Sequence, residues 1–360
     1  MSWLSYVTLV GLFYVLLLSN TVSGSTAIEK FMNSTCGKHS GADSPHREMM
    51  LGLLPTPEFW DFFANRTSRS NIMLVDVDRY SWDLLLNEVV ALRKTGSGMA
   101  NHVYAIGYDK HSCGNLTSAG VACYYNSTWQ DRLASKFKEQ SRHLAQPLHM
   151  VMMGRMMTSV AALCEGHNVF LSDTDVVFYR DPIQYTFRET DMMIAATRVK
   201  PELKKWGGTF FTDHPDQYFT LNNGVVFYRS NPIMQHFVIS LAEACLKSLK
   251  GPARQFDYDQ GFLQKVFNKQ MVDAKLTLGP TSKFSDPVTF RLNTRNLTNT
   301  VGECYDCHYG TLPWPSSTVV PASPHNVLKI GVFPLTRFTS FCWAAPGTSN
   351  NKYYLLVCKV

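Results

Sequence analysis

The stretch Asn168-Val169-Phe170-Leu171-Ser172-Asp173-Thr174-Asp175-Val176-Val177-Phe178 places two carboxylates, one residue apart, between two apolar runs. The run before the pair predicts a short buried strand, and the C-terminal end of a strand in an α/β sheet is where such folds bind ligands. In an extended chain, residues i and i+2 face the same way, so Asp173 and Asp175 are expected to point at one spot with Thr174 opposite. Two close carboxylates repel, and one takes up a proton unless a cation lies between them. A hard divalent ion, Mn²⁺ or Mg²⁺, suits the position because it prefers oxygen ligands and leaves places open for water and phosphate oxygens. Two solvated aspartates on a surface turn would have the same spacing. The strand-like frame on both sides favours a metal–diphosphate site.

Outward from this stretch, strands and helices alternate. Residues 72–75 (IMLV) predict a strand ending in Asp76 and Asp78, and residues 82–93 have helical spacing, with apolar side chains at 84, 85, 89 and 92. Residues 103–106 predict the next strand, closing on Gly107, Tyr108 and Asp109, which makes a βαβ unit. Residues 146–164 read as a helix whose methionines fill a core, followed directly by the Asp173 strand. Further strands are expected over 191–196 and 223–228, and helices over 58–63, 232–249 and 259–268. Asp181 precedes a proline and reads as a turn residue. The alternation predicts an α/β fold with a mainly parallel central sheet flanked by helices and ligands along one edge.

Composition narrows the function. With 360 residues, 45% of them apolar and 17% charged, the chain can bury a large core and is not a disordered protein. The net charge of +6 is scattered without a Lys/Arg run, so nucleic acid is not an expected partner. Residues 3–18 are largely apolar and run into Val22, Ser23 and Gly24, so residues 1–24 read as a cleaved signal peptide or a short anchor, the expected membrane contact. Acceptor sequons at Asn33, Asn65, Asn115, Asn126 and Asn296 agree with secretory entry. Nine cysteines suit an oxidising lumen; Cys113 and Cys123 are close enough in sequence to bridge, and Cys304 with Cys307 reads as a structural disulfide rather than a zinc half-site. Residues 25–68, polar and interrupted by prolines, read as a stem or lead-in, and 69–360 as a single catalytic domain.

The ordered set of motifs at 71–78, 104–109, 171–182, 221–229 and 257–260 resembles the nucleotide-diphospho-sugar transferase family, whose members include galactosyl-, xylosyl- and arabinosyltransferases of the secretory pathway with a GT-A fold. The resemblance implies that Asp173 and Asp175 hold Mn²⁺ or Mg²⁺ and the diphosphate of a nucleotide sugar. It puts Asp76, Asp78 and Asp109 near the base and ribose, and Asn222, Asn223 and Gly224 in a turn lining the sugar pocket. Asp259 and Gln260 would then sit beside the anomeric carbon. Arg155 would reach the phosphates or cap a helical face, while Asp76 and Asp78 would otherwise form a strand-to-helix turn and Asp259 a helix N-cap. The implied activity is transfer of a sugar, with retention, from a nucleotide donor to a glycan or glycoprotein acceptor in the secretory lumen. The Golgi, through a type II anchor, or secretion after cleavage is the expected destination. After the stretch at 329–338 the family carries a further histidine that residues 339–360 do not contain, whereas His308 and His325 lie upstream. The resemblance therefore also leaves open a shortened C-terminus and a catalytically weak glycan-binding or regulatory relative.

Overall fold

The computed structural model describes residues 27–34, 36–37, 45–64, 71–138, 146–199, 209–212, 218–248, 263, 291–299, 302–313 and 327–333. Its centre is a ten-stranded sheet in the order β3-β2-β1-β4-β7-β5-β10-β9-β8-β6. The strands are β1 (Asn71–Val77), β2 (Val103–Gly107), β3 (Ala122–Tyr124), β4 (Asn168–Ser172), β5 (Met192–Val199), β6 (Thr209–Thr212), β7 (Tyr218–Tyr228), β8 (Arg291–Asn299), β9 (Gly302–Pro313) and β10 (Val327–Val332). The block β3-β2-β1-β4 is parallel throughout, with Met73 opposite Val103 and Leu74 opposite Leu171. β7 then runs antiparallel to both β4 and β5, so the sheet is mixed beyond β4.

Helices cover both faces, as a parallel block requires because its crossover connections must lie on one face or the other. They are α1 (Pro45–Leu53), α2 (Pro57–Ala64), α3 (Trp82–Lys94), α4 (Lys110–Ser118), α5 (Ser127–Lys138), α6 (Gln146–Cys164) and α7 (Pro232–Ser248). Successive residues of β1 alternate between two cores: Ile72 and Leu74 join α6 and α7 on one face, while Met73, Val75 and Val77 join α3 on the other. A strand buried on both faces has to be apolar almost throughout, which is why β1 and β4 read as continuous runs. The α6 methionines Met153, Met156 and Met157 are buried, as expected of core filling.

The lead-in read over 25–68 is, in its described residues, part of the packed domain. Ala27, Phe31, Cys36, Met50, Leu53, Leu54, Phe59 and Trp60 are all buried in the core on the α6 face. Trp129 Nε1 donates to Leu53 O at 2.9 Å, and Cys36 is bridged to Cys164 at the end of α6. Prolines and polar residues marked the surface of this segment, but its spaced aromatics found a face of the sheet to cover. Cys113 and Cys123 form the expected disulfide. Cys304 and Cys307 fall in β9, with side chains outside the described residues, as are 1–26, the proposed helix at 259–268 apart from Leu263, and the tail from 334 onward. Among the described residues, no helix is long and apolar enough to cross a membrane.

Candidate functional site

The C-terminal ends of β1 and β4 lie side by side and deliver Asp76 and Asp173 to one edge of the sheet. Arg155, from the middle of α6 and only 9% exposed, reaches into the same edge. Its Nη1 donates to Asp173 Oδ1 at 2.7 Å, and its Nε lies 3.8 Å from Asp76 Oδ2. Asp76 also accepts from Tyr108 Oη at 3.0 Å, and Tyr108 in turn packs so tightly on α6 that a Cβ at Gly154 would meet its hydroxyl. Burial, reinforced by the Asp76 carboxylate, pushes the Tyr108 hydroxyl well above its ordinary range, so it stays a donor.

Asp173 and Asp175 lie on a turn immediately after β4 rather than in extended chain. Val176 N donates to Asp173 O at 3.2 Å, an i to i+3 turn bond. The expectation that strand alternation aims both carboxylates at one spot is corrected accordingly, because β4 ends at Ser172.

The second correction concerns Asn222, Asn223 and Gly224, expected in a turn. They lie inside β7, where the pairing with β5 jumps from Val226 opposite Ile194 to Asn222 opposite Ala195. The unmatched residues bulge toward the end of β4, and Asp173 N donates to Gly224 O at 2.8 Å. Asn222 Oδ1 accepts from Gly224 N at 2.9 Å and fixes the bulge from its own side chain. A Cβ on Gly224 would lie 2.6 Å from Asp173 Oδ2, so only glycine lets the carboxylate sit this close to the strand.

Asp78 and Asp109 have local work to do. Asp78 Oδ1 accepts from Tyr80 N and Ser81 Oγ in the turn that starts α3. Asp109 caps α4, accepting from Ser112 N at 2.8 Å and Ser112 Oγ at 2.6 Å. Both stand on the ligand edge, with carboxylates engaged in starting helices. Asp259 and Gln260 lie outside the described residues.

One group was missed in the sequence. Glu88 is fully buried on α3, sharing a stripe with Leu85, Val89 and Leu92. Its Oε1 accepts from Ser172 Oγ at 3.0 Å, directly behind the Asp173 turn, and its Oε2 has no hydrogen-bond partner among the described residues. Burial pushes this carboxyl well above the usual range, and Asp173 and Asp175 push it the same way. A glutamate on the stripe of an amphipathic helix, three residues after Leu85, was the available signal.

The donor set is hard oxygen. Among the described residues no group of three or more His, Cys, Asp or Glu side chains is arranged to hold a metal ion, so an ion at the Asp173 turn would draw part of its shell from outside the protein. That fits Mn²⁺ or Mg²⁺, which complete their shells with water and substrate phosphates, and does not fit a structural zinc site. The guanidinium already seated on Asp173 marks the spot as one that attracts positive charge.

The profile of the nucleotide-diphospho-sugar transferase family matches residues 98–356. No curated protein matches the chain. Among solved structures it is similar to the apo form of the WbbM bifunctional glycosyltransferase, with 13% identity over 56% of this chain and 38% of that one and a TM-score of 0.37. It is also similar to apo mouse xyloside xylosyltransferase 1, with 12% identity over 56% of this chain and 83% of that one and a TM-score of 0.37. An active-site mutant of LgtC is 12% identical over 60% of this chain and 81% of that one, with a TM-score of 0.33.

Proposed function

The chain belongs to the nucleotide-diphospho-sugar transferase family of glycosyltransferases, and from that membership we propose that it is a metal-dependent enzyme that moves a sugar, with retention, from a nucleotide-diphosphate donor to a glycan or glycoprotein acceptor. The observation that carries the reading is the crowding of Asp76, Arg155 and Asp173 against the Gly224 bulge, at the sheet edge where α/β folds bind ligands. Asp173 and Asp175 would hold Mn²⁺ or Mg²⁺. When bound, the ion supplies fixed positive charge to a diphosphate whose negative charge grows as it departs.

The chain's own residues do the rest. Arg155 offers a forked set of donors to phosphate oxygens, a geometry that a lysine would not reproduce. The glycine at 224 keeps one side of the pocket low, so that Asn222 and Asn223 can present amides to sugar hydroxyls without acting as nucleophiles. Asp259 and Gln260 are proposed beside the anomeric carbon, where Gln260 would act on the transition state more than on donor affinity. Asp76 contributes by fixing Arg155, and Asp78 and Asp109 by shaping the turns near the base and ribose.

Residues 1–24 are proposed to bring the chain into the secretory lumen, either to a Golgi membrane through a short anchor or to secretion after cleavage, ahead of a catalytic domain that takes in the packed lead-in residues as well as 69–360. The disulfides Cys36–Cys164 and Cys113–Cys123 support an oxidising compartment. The test is to incubate the glycosylated protein with a panel of nucleotide sugars and candidate glycan acceptors, with Mn²⁺ and with a chelator, measuring nucleoside diphosphate release and the anomeric configuration of the product. Release from one donor that requires Mn²⁺ supports the reading. Release from none, or release indifferent to the chelator, refutes it.

A further inference from the structure

Among the described residues, Arg155 faces two carboxylates with one positive charge. Its guanidinium is shared between Asp173 Oδ1 at 2.7 Å and Asp76 Oδ2 at 3.8 Å, with Asp175 two residues beyond Asp173 on the same turn. It cannot lose its proton, because a guanidinium stays charged under all ordinary conditions. It has little freedom to swing away either: Arg155 is 9% exposed, and its helix is pinned through Met153, Met156 and Met157 in the core and through Cys164 to Cys36.

From this geometry, and resting on the reading of Asp173 and Asp175 as metal ligands, we propose that Arg155 is a built-in counter-cation that makes divalent-metal binding conditional on the donor's diphosphate. Without a diphosphate, an incoming ion meets an Asp173 carboxylate already paired and a fixed positive charge a few ångströms away, and both oppose it. A diphosphate changes the sum of charges. It brings negative oxygens that the forked donors of Arg155 can take while the arginine still touches Asp173, so repulsion of the metal gives way to a shared anion. Metal and diphosphate then each raise the affinity for the other by the same factor, as any coupling between two sites must.

The measurement is the affinity for Mn²⁺, followed by the electron paramagnetic resonance signal of free Mn²⁺, for the wild type, Arg155→Gln and Arg155→Lys. Each protein is titrated alone and with saturating uridine diphosphate or guanosine diphosphate, subtracting manganese held by the free nucleotide. The wild type should bind Mn²⁺ weakly alone and about tenfold or more tightly with one of the nucleotides present. Arg155→Gln should bind Mn²⁺ alone about tenfold more tightly than the wild type, with most of the nucleotide-dependent gain lost. Arg155→Lys, which keeps the charge, should stay close to the wild type for Mn²⁺ alone. A purely structural arginine predicts the opposite sign, weaker Mn²⁺ binding in Arg155→Gln, and that result overturns the proposal. Wild-type affinity that is the same with and without nucleotide also overturns it, and needs no variant to fold. Absence of Mn²⁺ binding under every condition removes the metal-ligand reading itself, an outcome distinct from equal binding by wild type and Arg155→Gln.

Discussion

The two edges of the sheet are both built from charged and polar side chains, but only one of them is closed. At the edge where β4 and β5 begin, Asp191 accepts from Asn231 Nδ2 at 2.7 Å and from Lys329 N at 2.9 Å. Arg229 donates to the carbonyls of Thr190 and Phe187, each at 2.8 Å, and Asn168 accepts from Ser230 N. These groups answer backbone with side chain and tie the loops down. At the edge where β1 and β4 end, Asp173 shares one arginine with Asp76, keeps 37% of its side chain exposed, and backs onto a buried carboxyl one of whose oxygens has no hydrogen-bond partner among the described residues. Buried polar groups normally find partners. Among the described residues the sheet ties such groups to backbone at one edge and gathers Asp76, Asp173 and Glu88 near one arginine at the other, which is why the second edge is the one proposed for a ligand.

The sharpest way to break this contrast is to cut one aspartate at each edge. Asp173→Ala should lower turnover by about a thousandfold while leaving the melting temperature near that of the wild type, because one transition-state electrostatic contact is worth roughly that much. Asp191→Ala should cost about 1–3 kcal/mol of stability, since it leaves the Lys329 N–H and the Asn231 amide unanswered, and should spare turnover in the folded protein. Steady-state kinetics beside thermal melts decide it. Equal loss of turnover in both would erase the distinction between the edges.

The closed edge is also where the covalent tie lies, since Cys164 ends α6 just before β4 and bridges to Cys36 over a separation of 128 residues. Replacing both cysteines with serine should lower stability by about 2–4 kcal/mol and leave nucleotide affinity unchanged. A denaturant titration paired with a binding isotherm would expose any leak from this edge to the other.

A smaller change probes the open edge. In Gly224→Ala the new methyl would lie 2.6 Å from Asp173 Oδ2, so the carboxylate must turn away. Mn²⁺-dependent nucleotide affinity should fall by about tenfold or more, the usual scale for disturbing the surroundings of a metal ligand. An unchanged affinity would mean that Asp173 does not need its observed position.

The smallest effect belongs to Glu88. Its carboxyl is raised in the folded state, first by burial and then by Asp173 and Asp175, so the folded protein holds a proton that the unfolded chain has released. Stability contributed by that proton is full below the unfolded carboxyl range and is lost as the pH rises through the folded value. Glu88→Gln has no proton to lose. In chelator it should therefore melt above the wild type at neutral pH, with the gap closing as the pH falls into the ordinary carboxylate range. Parallel melting curves across pH would remove Glu88 from the electrostatics of the site.

Much of this was legible in the sequence, for reasons that also explain the gaps. β1, β2 and β4 were visible because central parallel strands are apolar on both faces, and α6 because its apolar residues fit a helix from 146 to 164. Asp173 and Asp175 could be read from their place after an apolar run that ends a strand, whereas Asp76 and Arg155 were named through the resemblance to the family. The Cys36–Cys164 bridge could not, since nothing local links residues so far apart. The resemblance put Asn222 to Gly224 in a turn, but the strand read over 223–228 extends back through them to Tyr218, and its pairing makes a bulge there. Glu88 was hidden by its own type, because a helical glutamate is most often solvated.

The central claim is that the open edge holds a diphosphate through a divalent ion on Asp173 and Asp175. Calorimetric titration of nucleoside diphosphates into the wild type, Asp173→Ala and Asp175→Ala, each with Mn²⁺ and again with chelator, tests it directly. The account predicts saturable binding of one nucleotide by the wild type in Mn²⁺, abolished by chelator and by either substitution. Equal affinity in all three proteins with Mn²⁺ present would contradict it.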